Sequence, residues 1–389
     1  MTVPLGGLRV LELATVLAAP GAARYLADYG AEVIKVEAPS GDPTRRMGWI
    51  GPGETDSYFW KFVNRNKRVI TLDLKMPEGK AAFGRLAEGA DILVENMRPG
   101  KLEALGFGPE TLLARNPRLV ILRISGFGQD GPYAQYPGFA TIAEALSGFC
   151  GLLGEPDGGP LLPPIALTDE VTALAGAFAA LTALRHAERT GEGQTIDVNL
   201  LTSVFQIMGP LPSAYAHTGY LQPRMGAGLP YTVPRGTYRC SDGVWVAISA
   251  SSDTVAARLL DLVGLADDPR FASFQDRSRN REALEKALNA WVAARPSVEV
   301  MAEFRRVDAA IARVLDMADI FADPHFQARG MIAKVDGVVM QDLVARLSTT
   351  PGALTRAGPP VDADGPAIRA ALATGGPGWS DRPDPADTP

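Results

Sequence analysis

Cysteine and histidine are scarce in this sequence, which has two cysteines and three histidines among 389 residues. Cys150 and Cys240 cannot build a disulfide framework. The spacing of the cysteines and histidines also matches no metal site. The sequence therefore argues against a disulfide-rich secreted protein and predicts a protein of a reducing compartment that holds no metal.

Long apolar runs and an excess of basic charge are also missing. The run Val171–Ala183 falls short of the roughly 20 residues that a membrane span needs. Met1 is not followed by the basic start and long apolar core of a secretory signal. The net charge of -6 gives no reason to expect a nucleic acid partner. We therefore expect a cytoplasmic protein that binds neither membranes nor nucleic acids.

Short apolar segments alternate with helical patterns over the first 125 residues. The segments are rich in Val, Ile and Leu and nearly continuous in hydrophobicity, as in strands that are buried on both faces. Helical patterns at Gly21–Tyr29, Pro77–Ala87 and Pro109–Arg115 separate most of them. This alternation predicts an α/β fold with a parallel sheet covered by helices. The predicted strands are Leu8–Leu13, Glu32–Glu37, Arg68–Leu74, Asp91–Asn96 and Arg118–Ile124.

The pattern changes near residue 199, which predicts a second and smaller domain. A helical stretch, Leu200–His217, precedes a loop rich in Gly and Pro, and two strand-like runs then meet at Ser241-Asp242-Gly243 as in a hairpin. The prediction is a large α/β domain (1–199, completed by 330–375) and a small α+β domain (226–316). Linkers are predicted over 200–225 and 317–329. The Pro- and Gly-rich residues 376–389 are predicted to form a mobile tail.

The start of the chain imitates a dinucleotide-binding unit, because an acid, Glu37, ends the second predicted strand. The turn after Leu13 reads ATVLAAPGAARYL and lacks the G-x-G-x-x-G pattern. Without those glycines the backbone cannot approach a pyrophosphate closely. An NAD site is therefore disfavoured, and Glu37 is interpreted as the polar end of a buried strand.

The segment PPIALTDEVTALAGAFAAL, residues 163–181, places an acid pair before an otherwise apolar helical run. The pattern predicts a helix from near Val171, with Thr168 and Asp169 in the capping position. Unpaired N–H groups at that end favour an ionised carboxylate. From the residues alone, Asp169 is either a cap worth about 1 kcal/mol or a carboxylate nucleophile in dry surroundings.

Several motifs follow one another along the chain in a fixed order. They are GLRVLELATVLAAPGAARYLADYGAEVIKVEAPSGDPTRRMG, NRNKRVITLDLK, ADILVENMRPGKLEALGFG, ISGFGQDGPYAQYPGFATIAEALSG, ALTDEVTALAGAFAALTALRHAERTGEGQTIDVNLL and VPRGTYRCSDGVWVAISA. From about Leu5 to Ile332 the sequence thus resembles the class III CoA-transferases, which include formyl-CoA, carnitinyl-CoA and succinyl-CoA:dicarboxylate transferases and the related α-methylacyl-CoA racemases. The resemblance implies a large Rossmann-like domain and a small domain joined by long linkers, in a homodimer of two interlocked chains.

The resemblance also implies the reaction and its participants. CoA would move from an acyl-CoA donor to a free carboxylic acid, through an aspartyl mixed anhydride and an aspartyl-CoA thioester on Asp169. Coenzyme A would be a co-substrate, with no permanently bound cofactor and no metal. Arg45 matches a motif arginine that would bind CoA or the acid. The residues implied to line the CoA site are Leu17, Ala18, Arg45, Leu72, Asp73, Leu74, Lys75, Asn96, Met97, Arg98, Lys101, Pro137, Gly138, Phe139 and Ala140.

Other activities remain open at this point. The racemases carry a histidine and an aspartate where this chain has Phe139 and Ala140, so a proton-shuttling racemase would lack its acid-base pair. A CoA-binding relative without transferase activity is a second alternative. A third is intramolecular transfer of CoA between the two carboxyls of one diacid.

Overall fold

The computed structural model describes residues 3–250 and 252–382, and the chain separates into two compact units. The large unit comprises Met1–Phe149, Pro163–Gly209 and Ala328–Pro389. The small unit comprises Cys150–Leu162 and Pro210–Gln327. The predicted helix Leu200–His217 is two helices, and the boundary between the units lies between them. The helix is interrupted because Gly209 has a φ of 60° and because Pro210 lacks the N–H that a continuous helix needs.

A parallel sheet of six strands forms the centre of the large unit, in the order β3-β2-β1-β4-β5-β6. The first five strands confirm the predicted alternation, because β2 has the predicted bounds and the bounds of the other four differ by up to three residues. The sixth was not predicted, because QTIDVN is a half-exposed edge strand without continuous hydrophobicity. The strands are β1 Arg9–Leu13, β2 Glu32–Glu37, β3 Lys67–Thr71, β4 Ile92–Glu95, β5 Val120–Ser125 and β6 Gln194–Asn199.

Helices cover both faces of this sheet, and two separate apolar clusters fill the spaces between. The two halves of the sheet meet where β1 lies between β2 and β4, with Leu11 opposite Ile34 on one side and Leu93 on the other. At such a switch point the connections leave in opposite directions and open a crevice. The large-unit helices are α1 Ala18–Asp28, α2 Tyr58–Val63, α3 Pro77–Glu88, α4 Lys101–Ala104, α5 Pro109–Arg115, α6 Ala140–Leu146, α8 Leu167–Thr190, α9 Leu200–Gln206 and α17 Gly365–Ala373, with α7 Phe149–Leu152 at the unit boundary.

Helix α8 is the longest helix described and packs along α1. A Cβ on Gly21 of α1 would lie 2.9 Å from the Cβ of Ala173, so only glycine allows this approach. With 24 residues, α8 is long and apolar enough to cross a membrane by length and composition, so the length argument against a span was wrong. One such helix is weak evidence for a span, because core helices meet the same criterion.

The small unit has its own core and a three-stranded antiparallel sheet in the order β7-β8-β9. The predicted hairpin is confirmed, with Tyr238 opposite Val246 and Gly243 at a φ of 84° in the turn. Helices pack on this sheet as an α+β arrangement predicts. The elements are α10 Leu211–Thr218, β7 Arg235–Arg239, β8 Trp245–Ser249, α11 Asp253–Leu262, α12 Phe274–Arg279, α13 Arg281–Ala293, α14 Ser297–Arg306, β9 Ala310–Arg313, α15 Met317–Ala322 and α16 Pro324–Ala328.

The C-terminal segment returns to the large unit through a hairpin, β10 (Ile332–Val335) and β11 (Val338–Gln341). It then covers the open edge of β3, where Asp364 and Asp362 accept hydrogen bonds from the N–H groups of Val69 and Thr71. Trp379 is 6% exposed and donates to the Leu86 carbonyl at 3.0 Å. The predicted mobile tail is therefore wrong for residues 376–382, because Trp379 is buried and because Ser380 and Arg382 bond to Glu32 and Asp91. Residues 383–389 lie outside the described part.

Candidate active site

The carboxyl ends of β1 and β4 meet at the switch point of the sheet, and the segments that follow them are joined there. The Thr15 N–H donates to Asn96 Oδ1 at 3.0 Å, and Asn96 Nδ2 donates to the Thr15 carbonyl at 2.7 Å. Between Thr15 and α1, Val16 has a φ of 69°, a backbone conformation that β-branched residues rarely adopt. The buried Leu17 and Ala18 then begin α1. The structure thus places three predicted site residues, Leu17, Ala18 and Asn96, on the two connections that meet at the switch point.

Two buried lysines bind backbone carbonyls on either side of Leu17 along the chain. The Lys35 ammonium is 2.8 Å from Glu12 Oε1 and 2.9 Å from Asp42 Oδ2, and it donates to the Ala14 carbonyl. The Lys67 ammonium is 2.7 Å from Glu12 Oε2 and donates to a carbonyl in the first turn of α1. Burial lowers the pKa of Lys67 to about 8, although Glu12 opposes the change. Because each lysine holds a backbone carbonyl, these charges position the connection between β1 and α1 before and after Leu17.

Asp169 lies in the first turn of α8, which runs from the carboxyl edge of β5 back to β6 and so begins at the crevice edge of the sheet. The predicted helix start was late, since α8 begins at Leu167 and its cap is Ala166. Asp169 is the third helical residue, and the helix has no side-chain cap. Among the residues that the structure describes, none donates a hydrogen bond to the Asp169 carboxylate. The capping interpretation of Asp169 is therefore wrong.

The half-buried carboxylate of Asp169 is held in an unfavourable charged state. Burial raises its pKa from 3.8 to about 6, and the negative charges of Glu144 and Glu170 add to this effect. The direction is opposite to the one that the helix end alone predicts. At neutral pH the group is still mostly ionised, and its charge is poorly stabilised. A carboxylate with these properties is a stronger nucleophile than an ordinary aspartate.

The neighbouring carboxylate, Glu170, has two side-chain partners by contrast. Its Oε2 lies 2.9 Å from Arg24 Nη2 and accepts a hydrogen bond from the Tyr25 hydroxyl at 2.8 Å. Burial raises the pKa of Tyr25 to about 12, so its hydroxyl stays protonated as a donor. Of the two adjacent acids, Asp169 is the one for which the described part of the chain supplies no hydrogen-bond or ion-pair partner. The two acids therefore differ in their surroundings, although they are adjacent in the sequence.

We expect Asp169→Asn to be more stable than the parent protein at pH 7.5, by about 1–2 kcal/mol after partial exposure is allowed for. A carboxyl whose pKa is higher in the folded state binds its proton more tightly there, so stability falls as the pH rises from 3.8 to about 6. Asparagine removes this penalty. Thermal unfolding from pH 4 to 8 should show a gain that is full above pH 6 and absent near pH 3.8. An equal gain in stability at pH 4 and at pH 8 would show that the pKa of Asp169 is not raised in the folded protein.

The other predicted CoA-site residues lie on three connections at the same edge of the sheet. The segment after β3 runs from the buried Leu72 through the half-buried Asp73 and Leu74 to the exposed Lys75. After β4, Met97 is half-buried while Arg98 and Lys101 are exposed. Before α6, Pro137 and Phe139 are exposed, and Gly138 and Ala140 are half-buried. The exposed cations stand at the rim, where their charges remain available to a ligand.

Arg45 does not share this arrangement, and the structure gives its side chain a different role. Its guanidinium is 2.6 Å from Glu37 Oε2 and 3.0 Å from Asp56 Oδ2, and it lies 3.4 Å from the ring centre of Trp60. Arg45 is only 6% exposed, and it also donates to the Pro359 carbonyl. With its donors committed to the protein, Arg45 is a structural residue here, which corrects its prediction as a ligand for CoA or the acid.

Sequence reasoning missed the charged residues inside the fold. Lys35 and Lys67 are both fully buried. Glu144 of α6 was not considered, and it is 4% exposed. The signal was present for the lysine in EVIKVE, because a charge inside a strand that is buried on both faces requires a buried partner. No cluster of metal-ligating side chains occurs in residues 3–250 and 252–382.

The sequence and the structure both match known proteins. A family model described as CoA-transferase family III matches residues 5–365. The alpha subunit of succinyl-CoA–L-malate CoA-transferase from Chloroflexus aurantiacus is 40% identical, over 92% of this chain and 86% of the relative. The beta subunit of that enzyme is 39% identical, over 92% of this chain and 91% of the relative.

Two further matches extend the comparison to another substrate and to a solved structure. The acetyl-CoA:oxalate CoA-transferase of Acetobacter aceti is 35% identical, over 94% of this chain and 95% of the relative. A crystal structure of a CAIB/BAIF family protein from Brucella suis superposes with a TM-score of 0.85 at 35% identity. That match covers 96% of this chain and all of the solved chain.

Proposed function

This chain belongs to CoA-transferase family III and is a class III CoA-transferase, and we propose that Asp169 carries first the acyl group and then CoA during the transfer. CoA is a substrate of such enzymes. The observation that supports the proposal is an ionised Asp169 without partners, beside a Glu170 that is held by Arg24. A free carboxylate with a raised pKa is suited to attack a thioester.

In the first half of the proposed reaction, an Asp169 oxygen attacks the thioester carbonyl of the donor. A carbon–oxygen bond forms, the carbon–sulfur bond breaks, and CoA departs as a thiolate. The thiolate then attacks the side-chain carbonyl of Asp169 and displaces the donor acid. The enzyme is left as an aspartyl-CoA thioester, and the donor acid takes one oxygen of Asp169 with it.

The second half restores the enzyme with an oxygen from the acceptor. The acceptor carboxylate attacks the aspartyl thioester, which releases thiolate and forms a second mixed anhydride. The thiolate attacks the acceptor carbonyl, so the acceptor leaves as its CoA ester and Asp169 is again a carboxylate. One oxygen therefore passes from acceptor to Asp169 in each cycle and from Asp169 to the donor acid in the next.

We further propose that CoA lies across the crevice between the ends of β1 and β4. The apolar Leu17, Ala18 and Leu72 suit the adenine or the pantetheine arm, and the exposed Lys75, Arg98 and Lys101 suit its phosphates. The relatives named for succinyl-CoA and L-malate support succinyl-CoA as donor and a short dicarboxylate as acceptor. Composition supports the cytoplasm as the location.

The proposed function is tested by mixing the protein with succinyl-CoA and a panel of free acids, followed by mass spectrometry of the CoA esters. We expect exchange, and ¹⁸O from a labelled acceptor should appear first on Asp169 and then in released succinate. Absence of CoA exchange together with CoA binding would favour a non-catalytic relative. Deuterium uptake into a 2-methylacyl-CoA without exchange would favour a racemase. If CoA instead moves between the two carboxyls of one diacid, a labelled free acid will not be incorporated into the CoA ester.

A second copy of the chain is proposed to cover an apolar face near Asp169. Leu174, Phe178 and Leu181 follow one face of α8 and are 45%, 74% and 37% exposed. Ile142 and Leu146 of α6 are exposed as well, and α6 packs on α8. Large apolar faces of this kind occur at subunit contacts. Similarity to both an alpha and a beta subunit of one relative supports a partner with this same fold.

We propose a homodimer whose chains are interlocked, and this predicts both its mass and its exchange behaviour. Light scattering should give twice the monomer mass of 41.2 kDa. Two differently tagged dimers should not exchange subunits in native buffer, because interlocked chains separate only after unfolding. Exchange should appear after denaturation and refolding. A monomer would contradict the proposal, and rapid native exchange would contradict the interlocking.

A further inference from the structure

Glu144 is a buried carboxylate close to Asp169 that no step of the proposed reaction uses. It lies on α6 and is 4% exposed. Its Oε1 accepts a hydrogen bond of 2.8 Å from the hydroxyl of Thr168, the residue before Asp169 in the first turn of α8. Two carboxylates thus flank one buried threonine. Because Glu144 accepts this bond, its position relative to α8 is fixed.

The charge of Glu144 is not balanced by a cation among the residues that the structure describes. No lysine or arginine in the described ranges 3–250 and 252–382 forms an ion pair with it. Glu170, the other acid that faces Asp169, is balanced by Arg24 and is bound by Tyr25. Helix α9, which packs on both α6 and α8, carries no ionisable side chain. Burying an unbalanced carboxylate costs free energy, which requires a compensating role.

We propose that Glu144 is a positioning residue whose unbalanced negative charge destabilises the free carboxylate of Asp169 and thereby favours acylation of Asp169. The inference rests on the proposed function. When an Asp169 oxygen bonds to the acyl carbon, the carbon–sulfur bond breaks and the negative charge leaves with the thiolate. The repulsion between Glu144 and Asp169 then disappears, and it returns only when the acyl group departs. Glu144 therefore shifts the balance towards the covalent intermediates.

Glu144→Gln separates this role from a purely structural one, because glutamine keeps the volume and still accepts the Thr168 hydrogen bond. Burial, the main cause of the raised pKa of Asp169, remains in this variant, so we expect the acid limb of kcat/KM to move from near pH 6 to lower pH without reaching 3.8. At pH 7.5 kcat/KM should fall about threefold to tenfold, in line with a weaker nucleophile. The fraction of enzyme trapped as the aspartyl-CoA adduct should fall as well.

Thr168→Val is the matched control, since it removes the hydrogen bond but keeps the charge of Glu144. It should lower the Tm and leave the acid limb near pH 6. If Glu144→Gln lowers the Tm and leaves the acid limb and the adduct fraction unchanged, Glu144 only supports the structure and the proposal is overturned.

A double-mutant cycle tests the repulsion without reference to activity. Glu144→Gln and Asp169→Asn should each raise the Tm at pH 8, and the double variant should gain less than the sum. Additive gains would overturn the inference. Coupling in unfolding, together with full activity of Asp169→Ala, would instead show that the repulsion exists and that the proposed function fails.

Discussion

Asp169→Ala should lower kcat/KM for CoA exchange by about 10⁴-fold, because both covalent intermediates require this carboxylate. Asp169→Asn should behave alike, since an amide neither attacks a thioester nor leaves as a carboxylate. The measurement is exchange between succinyl-CoA and a labelled acid, followed by mass. Hydroxylamine added during turnover should convert Asp169 to a hydroxamate in the parent protein alone, and peptide fragmentation locates the change.

Glu170→Gln is the control for this prediction, because it changes the adjacent acid and leaves Asp169 intact. It removes one partner of Arg24, so some loss of stability is expected. Exchange should stay within about tenfold of the parent. An Asp169→Ala protein that exchanges CoA as fast as the parent, or a hydroxamate found at Glu170, would remove Asp169 from the mechanism.

Arg45→Met should destabilise the protein by about 3–5 kcal/mol, because it leaves the buried Glu37 without its cation. Asp56, which is also bound to Arg45, loses a partner as well. A fall in Tm of about 5–10 °C is the expected result. The KM for acyl-CoA should change little in the protein that remains folded, since the Arg45 side chain faces protein groups.

The double variant Arg45→Met/Glu37→Gln shows whether the lost charge pair is the cause. Removing the orphaned carboxylate should recover part of the Tm, so the two changes are not additive. If Arg45→Met unfolds like the parent and instead raises the KM for acyl-CoA tenfold, Arg45 is a ligand after all and its assignment as a structural residue is wrong.

The large unit could be predicted well from the sequence because its signals are local. Strands buried on both faces require continuous apolar runs, and Pro109 at a helix start predicted the observed bounds Pro109–Arg115 without error. The hairpin around Gly243 follows from turn chemistry in the same way. Asp169 was identified by resemblance, and the residues around it alone left its role open.

What the sequence could not show depends on contacts between distant segments. A lysine inside an apolar strand is unfavourable by itself, and only the structure shows that Glu12 and Asp42 balance the charge of Lys35. Burial raises the pKa of Asp169, and Glu144, 25 positions earlier, adds to the increase, whereas a helix-end rule predicts a decrease. Trp379 was assigned to a mobile tail because the residues around it are rich in Pro and Gly. The carbonyl that accepts its hydrogen bond belongs to Leu86, which is far away in the sequence.

The covering of β3 by Asp362 and Asp364 has a consequence for biosynthesis. These aspartates leave the ribosome almost 300 residues after the strand whose N–H groups they occupy. Until they are synthesised, the edge of β3 is uncovered, and its free N–H groups can pair with strands of other nascent chains. We therefore expect nascent chains to need chaperones during translation, and C-terminally truncated chains to aggregate.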